Sequence, residues 1–108
     1  MTLDQIKKKH GIPLSEEIYH IKVIKDDKEI GDDKKTHWEC WLREPTLAEE
    51  ENLLNIMSNK ILTATQMALT SLWLEGDKEF MTSKALIKSS MALIGEIFET
   101  KEAIIEKK

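Results

Sequence analysis

Two stretches in the first half of the chain alternate apolar and polar side chains, which is the pattern of a half-buried β-strand. They span residues 17–25 and 36–43 and are separated by a charged run that contains Gly31. The alternation places Tyr19, Ile21 and Val23 on one face of the first strand, and Trp38, Cys40 and Leu42 on one face of the second. Two such strands joined by a polar loop predict an antiparallel hairpin, which needs a further layer over one face to be stable in water.

Helix signals lie on both sides of this hairpin. Thr2 and Gln5 have the spacing of a capping box, and Gly11 marks the end of the short helix that they begin. Thr46 and Glu49 repeat the capping-box spacing after the second strand, which predicts the start of a longer helix.

The C-terminal half continues with apolar residues at helical spacing. One helix is predicted over residues 61–74 with Gly76 as its C-cap. A last amphipathic helix is predicted from Thr82 or Ser83 to about Glu106.

These elements predict an α+β fold in one domain over residues 1–108. A short N-terminal helix or arm occupies residues 1–14, a β-hairpin residues 17–43, and a three-helix C-terminal region residues 46–107, on which the hairpin packs. A chain of 108 residues is long enough for one hydrophobic core and too short for two.

Every residue from Ile61 to Leu74 is uncharged, and this is the most informative feature of the sequence. A helix on the side of a small domain normally carries charged residues on its outer face. Here the least apolar stripe is Thr63, Gln66 and Thr70. We therefore expect part of this helix to contact a partner chain; the alternative is a central helix enclosed by the hairpin and the last helix.

Trp38 and Trp41 are three positions apart, so they lie on opposite faces of a strand. One of them is expected in the core, and the other is a candidate anchor for a partner on the outer face of the hairpin. Two simpler alternatives are that a helix covers each face of the hairpin, or that Trp41 packs against Leu47 at the end of the strand.

The composition narrows the classes of function. A net charge of −4 with scattered lysines argues against a nucleic-acid partner. The uncharged stretch is too short and too polar to span a membrane, and residues 1–10 do not have the apolar centre of a signal peptide. A single cysteine, Cys40, excludes a disulfide framework and favours a cytoplasmic location.

Candidate chemistry is sparse. His37 and Cys40 are three residues apart on a strand, so their side chains point in opposite directions, which argues against a metal site or a Cys–His nucleophile. The four glycines are too far apart for a phosphate-binding loop. We predict a binding protein and not an enzyme, with no catalytic residue, no cofactor and no metal.

Three junctions in residues 17–106 resemble a known family. The hairpin enters the helical region through residues 41–45 (Trp-Leu-Arg-Glu-Pro), a helix is predicted to end in residues 73–77 (Trp-Leu-Glu-Gly-Asp), and the last helix closes on residues 101–103 (Lys-Glu-Ala). In this layout the chain is similar to the small tail assembly chaperones encoded by tailed bacteriophages and prophages.

The resemblance implies a function that needs no catalytic residue. Proteins of that family bind the long, aggregation-prone tape measure protein and keep it soluble while the tail tube assembles around it, and they commonly self-associate. The expected partners are therefore a protein client, with the tape measure protein suspected, and further copies of the same chain, without nucleic acid or membrane. The resemblance assigns no client-binding residues.

The candidate site is therefore predicted from the pattern of apolar and polar residues alone. The residues expected to bind a partner are Trp41, Met67, Thr70, Trp73 and Leu74. An alternative function is a small regulatory or adaptor domain that binds a single protein partner through the hairpin face, for which Trp41 matters more than Met67 or Trp73. A third possibility, an enzyme subunit or small-ligand protein, requires an apolar pocket with several convergent polar groups.

Overall fold

A computed structural model describes residues 2–100 and 103–107 of the protein. The elements in chain order are α1 (Leu3–Lys9), β1 (Ile18–Ile24), a 3₁₀ turn (Asp27–Glu29), β2 (His37–Arg43), α2 (Leu47–Met57), α3 (Ile61–Ser71), β3 (Trp73–Gly76), α4 (Glu79–Thr82), α5 (Lys84–Ser89) and α6 (Ala92–Ile97). The α+β class, with an N-terminal hairpin followed by helices, is confirmed. Within the described residues, no helix is both long and apolar enough to cross a membrane.

The hairpin has the predicted faces. β1 and β2 pair antiparallel, with Ile21 opposite Cys40 and Tyr19 opposite Leu42. These side chains and Trp38 pack into the hydrophobic core, and they form the inner face of the sheet, a choice between the two faces that the alternation of the sequence leaves open. Trp41 consequently lies on the outer face.

The helix predicted over residues 61–74 is shorter than expected. α3 ends at Ser71, and Trp73 and Leu74 belong to β3, which pairs antiparallel with β2 to give the strand order β1-β2-β3. The prediction that both residues are helical is wrong, because pairing with a strand distant in the chain overrides the local helical pattern.

Gly76 is a strand residue and not the C-cap of a helix. Its φ is +136°, and a Cβ atom at this position would lie 2.4 Å from the carbonyl oxygen of Glu39 and 2.5 Å from Cα of Cys40. Glycine is thus required because β3 passes too close to β2 for any side chain.

The prediction of a single last helix is also wrong, because two short helices, α5 and α6, replace it and the one-turn helix α4 precedes them. The start at Ser83 is confirmed, because the side chain of Ser83 accepts a hydrogen bond from the backbone N–H of Leu86 at the beginning of α5. Ser90, between α5 and α6, is buried and donates its hydroxyl proton to the carbonyl of Leu86 at 2.7 Å. Lys101 and Glu102 lie outside the described residues, and residues 103–107 form neither helix nor strand.

The core lies between the inner face of the sheet and the helices that follow it. α3 contributes its buried side, formed by Ala64, Ala68 and Leu69, and α2, α5 and α6 surround it. Leu86 of α5 and Leu93 of α6 both belong to this one cluster.

α1 packs against its own domain, a point that the sequence leaves open. Its predicted capping box and its end near Gly11 are both confirmed: Gly11 has a φ of +66°, and the N–H of Ile12 donates to the carbonyl of Lys7 at 2.8 Å. Ile6 is fully buried, and Lys9 and His10 contact the carboxylate of Glu75, which belongs to β3. α1 therefore lies over the outer face of the sheet.

Candidate functional site

The exposed side of α3 carries no charge. The part of it called the α3 face below consists of Leu62, Thr63, Gln66, Met67 and Thr70, and the helix ends Ile61 and Ser71 are exposed as well. Thr63, Gln66 and Thr70 form the central ridge, as the sequence predicts. Leu62 and Met67, which are 38% and 39% exposed, lie on its two flanks.

A shallow groove runs along each flank of the ridge. The groove between α2 and α3 has a volume of about 170 Å³ and is lined by Asn52, Leu53 and Met67, among others. The groove between α3 and α5 has a volume of about 200 Å³ and is lined by Leu62 and Ile87, among others. Each groove offers space for an apolar side chain of a partner beside an uncharged ridge.

Charged groups stay at the margin of this surface. Glu49 lines the first groove, but both its carboxylate oxygens accept hydrogen bonds from the Arg43 guanidinium, at 2.7 and 2.9 Å. This pairing and the bond to the Thr46 backbone lower the pKa of Glu49 to about 2. Lys84 and Lys88 stand at the outer wall of the second groove.

The ridge itself is held rigidly by hydrogen bonds within the domain. The Thr70 hydroxyl donates to the carbonyl of Gln66 at 2.9 Å, and the side-chain amide of Gln66 donates to the carbonyl of Met81 at 3.2 Å. The oxygen atoms of these side chains remain as acceptors for a partner.

The outer face of the sheet forms a second candidate surface. The indole of Trp41 stacks on the imidazole of His20, with ring centroids 3.7 Å apart and planes 3° apart. Glu39 contacts His20 at 2.9 Å and His37 at 3.6 Å on the same face. The pKa of Glu39 is lowered, chiefly by its hydrogen bond to His20. Trp41 is half-buried, and a cleft between it and α1 includes Ile6.

The five predicted site residues fall in three places. Met67 and Thr70 are neighbours on the α3 face. Trp73 and Leu74 are half-buried in β3, and Trp73 packs against the core. Trp41 lies on the opposite side of the sheet, so the structure does not bring the five together.

The alternative that Trp41 packs against Leu47 at the end of the strand does not hold. Leu47 is 80% exposed, whereas α1 covers part of the outer face of the sheet. The five helices α2 to α6 cover the inner face, so helices lie over both faces. The inner aromatic is Trp38, whose ring also lies 5.1 Å from the Lys25 ammonium.

Leu62 is a site residue that sequence reasoning missed. The sequence does not identify it, because residues 61–74 contain no charged residue that would mark which flank of the helix is exposed. Its position one turn from Gln66 places it on the same flank as the buried Leu69, so the spacing alone does not mark it as exposed.

His37 and Cys40 point to opposite faces of β2, as predicted. Cys40 is buried in the core, and His37 lies near Glu39 on the outer face. No group of three or more histidine, cysteine, aspartate or glutamate residues among residues 2–100 and 103–107 is arranged to hold a metal ion.

Comparison with known proteins adds no identification. No model of a protein family, no curated protein and no solved structure matches this chain.

Proposed function

We propose that the protein is a non-catalytic binding protein of the tail assembly chaperone type, which keeps the tape measure protein of a phage or prophage soluble in the host cytoplasm. The observation that carries the proposal is the α3 face, an uncharged ridge with Leu62 and Met67 beside two grooves. Aggregation-prone clients expose apolar side chains, and these are the groups that such grooves can cover.

The α3 face is weakly apolar, which suits a chaperone that must release its client. Its central residues are polar but uncharged, so burying them costs less than burying ionised groups. Leu62 and Met67 contribute modest apolar area, and Met adapts its shape to different partners. Binding of many short client segments with low individual affinity is the expected behaviour, with several copies of the chain acting on one long client.

The gene neighbourhood offers the first test. A tail tube gene upstream and a very long gene encoding a coiled-coil-rich protein downstream are expected. A genome that places the gene outside any phage or prophage module would contradict the proposal.

Co-expression with overlapping fragments of that long neighbouring protein is the direct test. The chain is expected to increase the soluble fraction of at least one fragment and to co-purify with it. Met67→Lys places a charge in the groove and is expected to weaken this binding about tenfold. Asn55→Lys, which adds the same charge at an exposed position of α2, is the matched control and should bind as the parent does.

The outer face of the sheet supports the adaptor alternative, because Trp41 is a half-buried aromatic side chain beside a cleft. If the protein is an adaptor that uses the hairpin, Trp41→Ala abolishes capture of the partner and Met67→Lys leaves it intact. The chaperone proposal expects the reverse.

A further inference from the structure

β1 has a free edge. Within the described residues it pairs with β2 on one side only. The N–H of Lys25 donates to the carbonyl of Thr36, the residue opposite, at 2.9 Å. Hydrogen-bonded pairs alternate along an antiparallel ladder, so Ile18, His20 and Lys22 direct their backbone N–H and C=O groups outwards from the sheet.

A groove follows this edge and leads to an acidic cleft. The groove, of about 440 Å³, lies between β1 and the helices α5 and α6, and its lining includes Ile21 and Leu93. The cleft, of about 370 Å³, lies at the start of β1, and no lysine, arginine or histidine of the described residues lines it. The glutamates that line the cleft are Glu17, Glu44, Glu50, Glu96 and Glu99.

The cleft has a negative potential. The pKa of Tyr19, which lines it, is raised by burial and then by the neighbouring carboxylates of Glu44 and Glu50. A positively charged side chain is therefore the complementary group at this end of the groove.

The chain itself contains a segment with matching chemistry. Residues 103–107 read Ala-Ile-Ile-Glu-Lys and form neither helix nor strand. Ile104 and Ile105 are 85% and 94% exposed, and β-branched side chains favour strands. Lys107 follows two positions later, so the segment combines apolar side chains for the groove with a charge for the cleft.

We propose that residues 103–107 of one copy of the protein add as an antiparallel strand to the free edge of β1 in a second copy, with Lys107 opposite Glu17. In this register Ile105 lies opposite Tyr19 and faces the groove, and Ile104 lies opposite His20 on the outer face. The added strand satisfies the outward backbone groups of Ile18 and His20 and covers the two isoleucines.

Because the added strand is antiparallel to β1, it comes from a second copy of the protein and not from the same chain. Thr100 lines the acidic cleft, so the chain reaches the start of its own β1 shortly before residues 103–107. If residues 103–107 folded back along β1 of their own chain, they would run parallel to that strand. Each residue of a strand advances about 3.3 Å, so five residues would place Lys107 away from the cleft. An antiparallel strand that ends at the cleft therefore comes from another copy, and two copies can exchange segments reciprocally.

This interface rests on the self-association that the proposed function includes. Sedimentation of the full-length protein over a range of concentrations tests it, with a reversible dimer expected. The double variant Ile104→Asp/Ile105→Asp should weaken association about tenfold or more, because charges cannot enter the groove. Leu14→Asp/Leu47→Asp alters two equally exposed leucines elsewhere and should associate as the parent does.

A second variant tests the receiving edge. Ile18→Pro, at the first residue of β1, removes an outward N–H that the added strand would use and leaves the hydrogen bonds between β1 and β2 in place, so it should weaken association with the sheet intact. Mixing it with the isoleucine double variant should partly restore dimers, since one copy then supplies a working edge and the other a working segment. Direct pairing of two β1 strands would instead leave the isoleucine variant unaffected and would overturn the proposal.

Cross-linking tests the register. Glu17→Cys and Lys107→Cys proteins, mixed under mild oxidation, should form a disulfide-linked heterodimer, because the native Cys40 is buried. A mixture of Ser58→Cys and Lys107→Cys proteins is the control, and equal cross-linking in both mixtures would overturn the register. A monomeric parent would remove both this interface and the self-association proposed above. A dimeric parent with unaffected variants would remove this interface alone, and the co-expression test of client binding is independent of either result.

Discussion

At the scale of single residues, Gly76 carries the tightest packing constraint in the sheet. It is the point where β3 meets β2, and backbone atoms of two residues occupy the space that a side chain would need. The other mid-element glycine, Gly95 of α6, has no atom within 4 Å of its missing Cβ. The two glycines therefore respond in opposite ways to the same substitution.

Gly76→Ala is expected to lower the free energy of unfolding by about 3 kcal/mol or more, because both the positive φ and the contact with Glu39 become strained. Gly95→Ala is expected to raise it by about 0.5–1 kcal/mol, because alanine favours a helix and fits without contact. Urea denaturation of the two variants measures both changes. A stable Gly76→Ala protein would show that β3 does not approach β2 in this way.

The ion pair of Glu49 and Arg43 makes a second prediction at this scale. The pKa of Glu49 is lowered from 4.5 to about 2 in the folded protein, so its contribution to stability is fully present above the unfolded value and is lost as pH falls from about 4.5 to 2. The pair is partly exposed to solvent, which reduces the contribution to about 1–2 kcal/mol.

Glu49→Gln should therefore be less stable than the parent by that amount at pH 7, and the difference should disappear near pH 2. Thermal unfolding of both proteins across this pH range checks it. Glu51→Gln changes an exposed carboxylate on the same helix and serves as the control. A difference that persists unchanged at pH 2 would assign the effect to the capping geometry and not to the charge.

At the scale of elements, the sequence predicts those parts of the fold that depend on local periodicity and caps. β1, β2, α1 and the start of α2 follow from alternation and from the capping boxes at Thr2 and Thr46. β3 does not, because four residues are too few to show a period, and Trp73 is in a strand only through its pairing with Leu42. The breaks within the last predicted helix likewise depend on where the core lies.

The candidate site likewise combines a feature that the local sequence predicts with a feature that depends on packing. The absence of charge in residues 61–74 indicates an unusual helix, and Thr63, Gln66 and Thr70 are the ridge that the sequence predicts. Which apolar residues remain exposed depends on how α2 and α5 flank α3, and that packing is decided over long range. Leu62 therefore could not be separated from its buried neighbours by pattern alone.

α1 makes a prediction of its own, because Ile6 lies outside the main core cluster although it is fully buried. Ile6→Ala should loosen α1 from the sheet and leave the rest of the fold intact, since few contacts besides those of Lys9 and His10 with Glu75 hold the helix. Amide hydrogen exchange should become faster in residues 3–9 and unchanged in β2.

Leu3→Ala is the control for this helix, because Leu3 is already exposed and its truncation removes little contact. Quenching of tryptophan fluorescence gives a second measurement, and Trp41 should become more accessible in the Ile6 variant. Global unfolding of that variant at lower urea, without selective exchange in α1, would mean that α1 is part of the main cooperative unit.

At the scale of the whole molecule, one core joins the inner face of the sheet to all five later helices. A domain of this size with a single core is expected to unfold in one cooperative transition. Cys40 lies at the centre of that core on the middle strand, and burial raises the pKa of its thiol to about 12. The reactivity of this single cysteine therefore measures how often the whole domain unfolds.

Labelling of Cys40 by a thiol reagent should proceed only through global unfolding, because local opening of an edge strand or of a terminal helix does not expose the middle of β2. The free energy obtained from the labelling rate should then equal that from urea denaturation, and it should fall in parallel in Gly76→Ala and rise in Gly95→Ala. A Ser58→Cys variant, with its new thiol exposed at the end of α2, should label immediately and shows that the reagent is not limiting. Fast labelling of Cys40 in the parent protein would mean that β2 is reached by a partial opening, and the sheet and helices would then be separate units of stability.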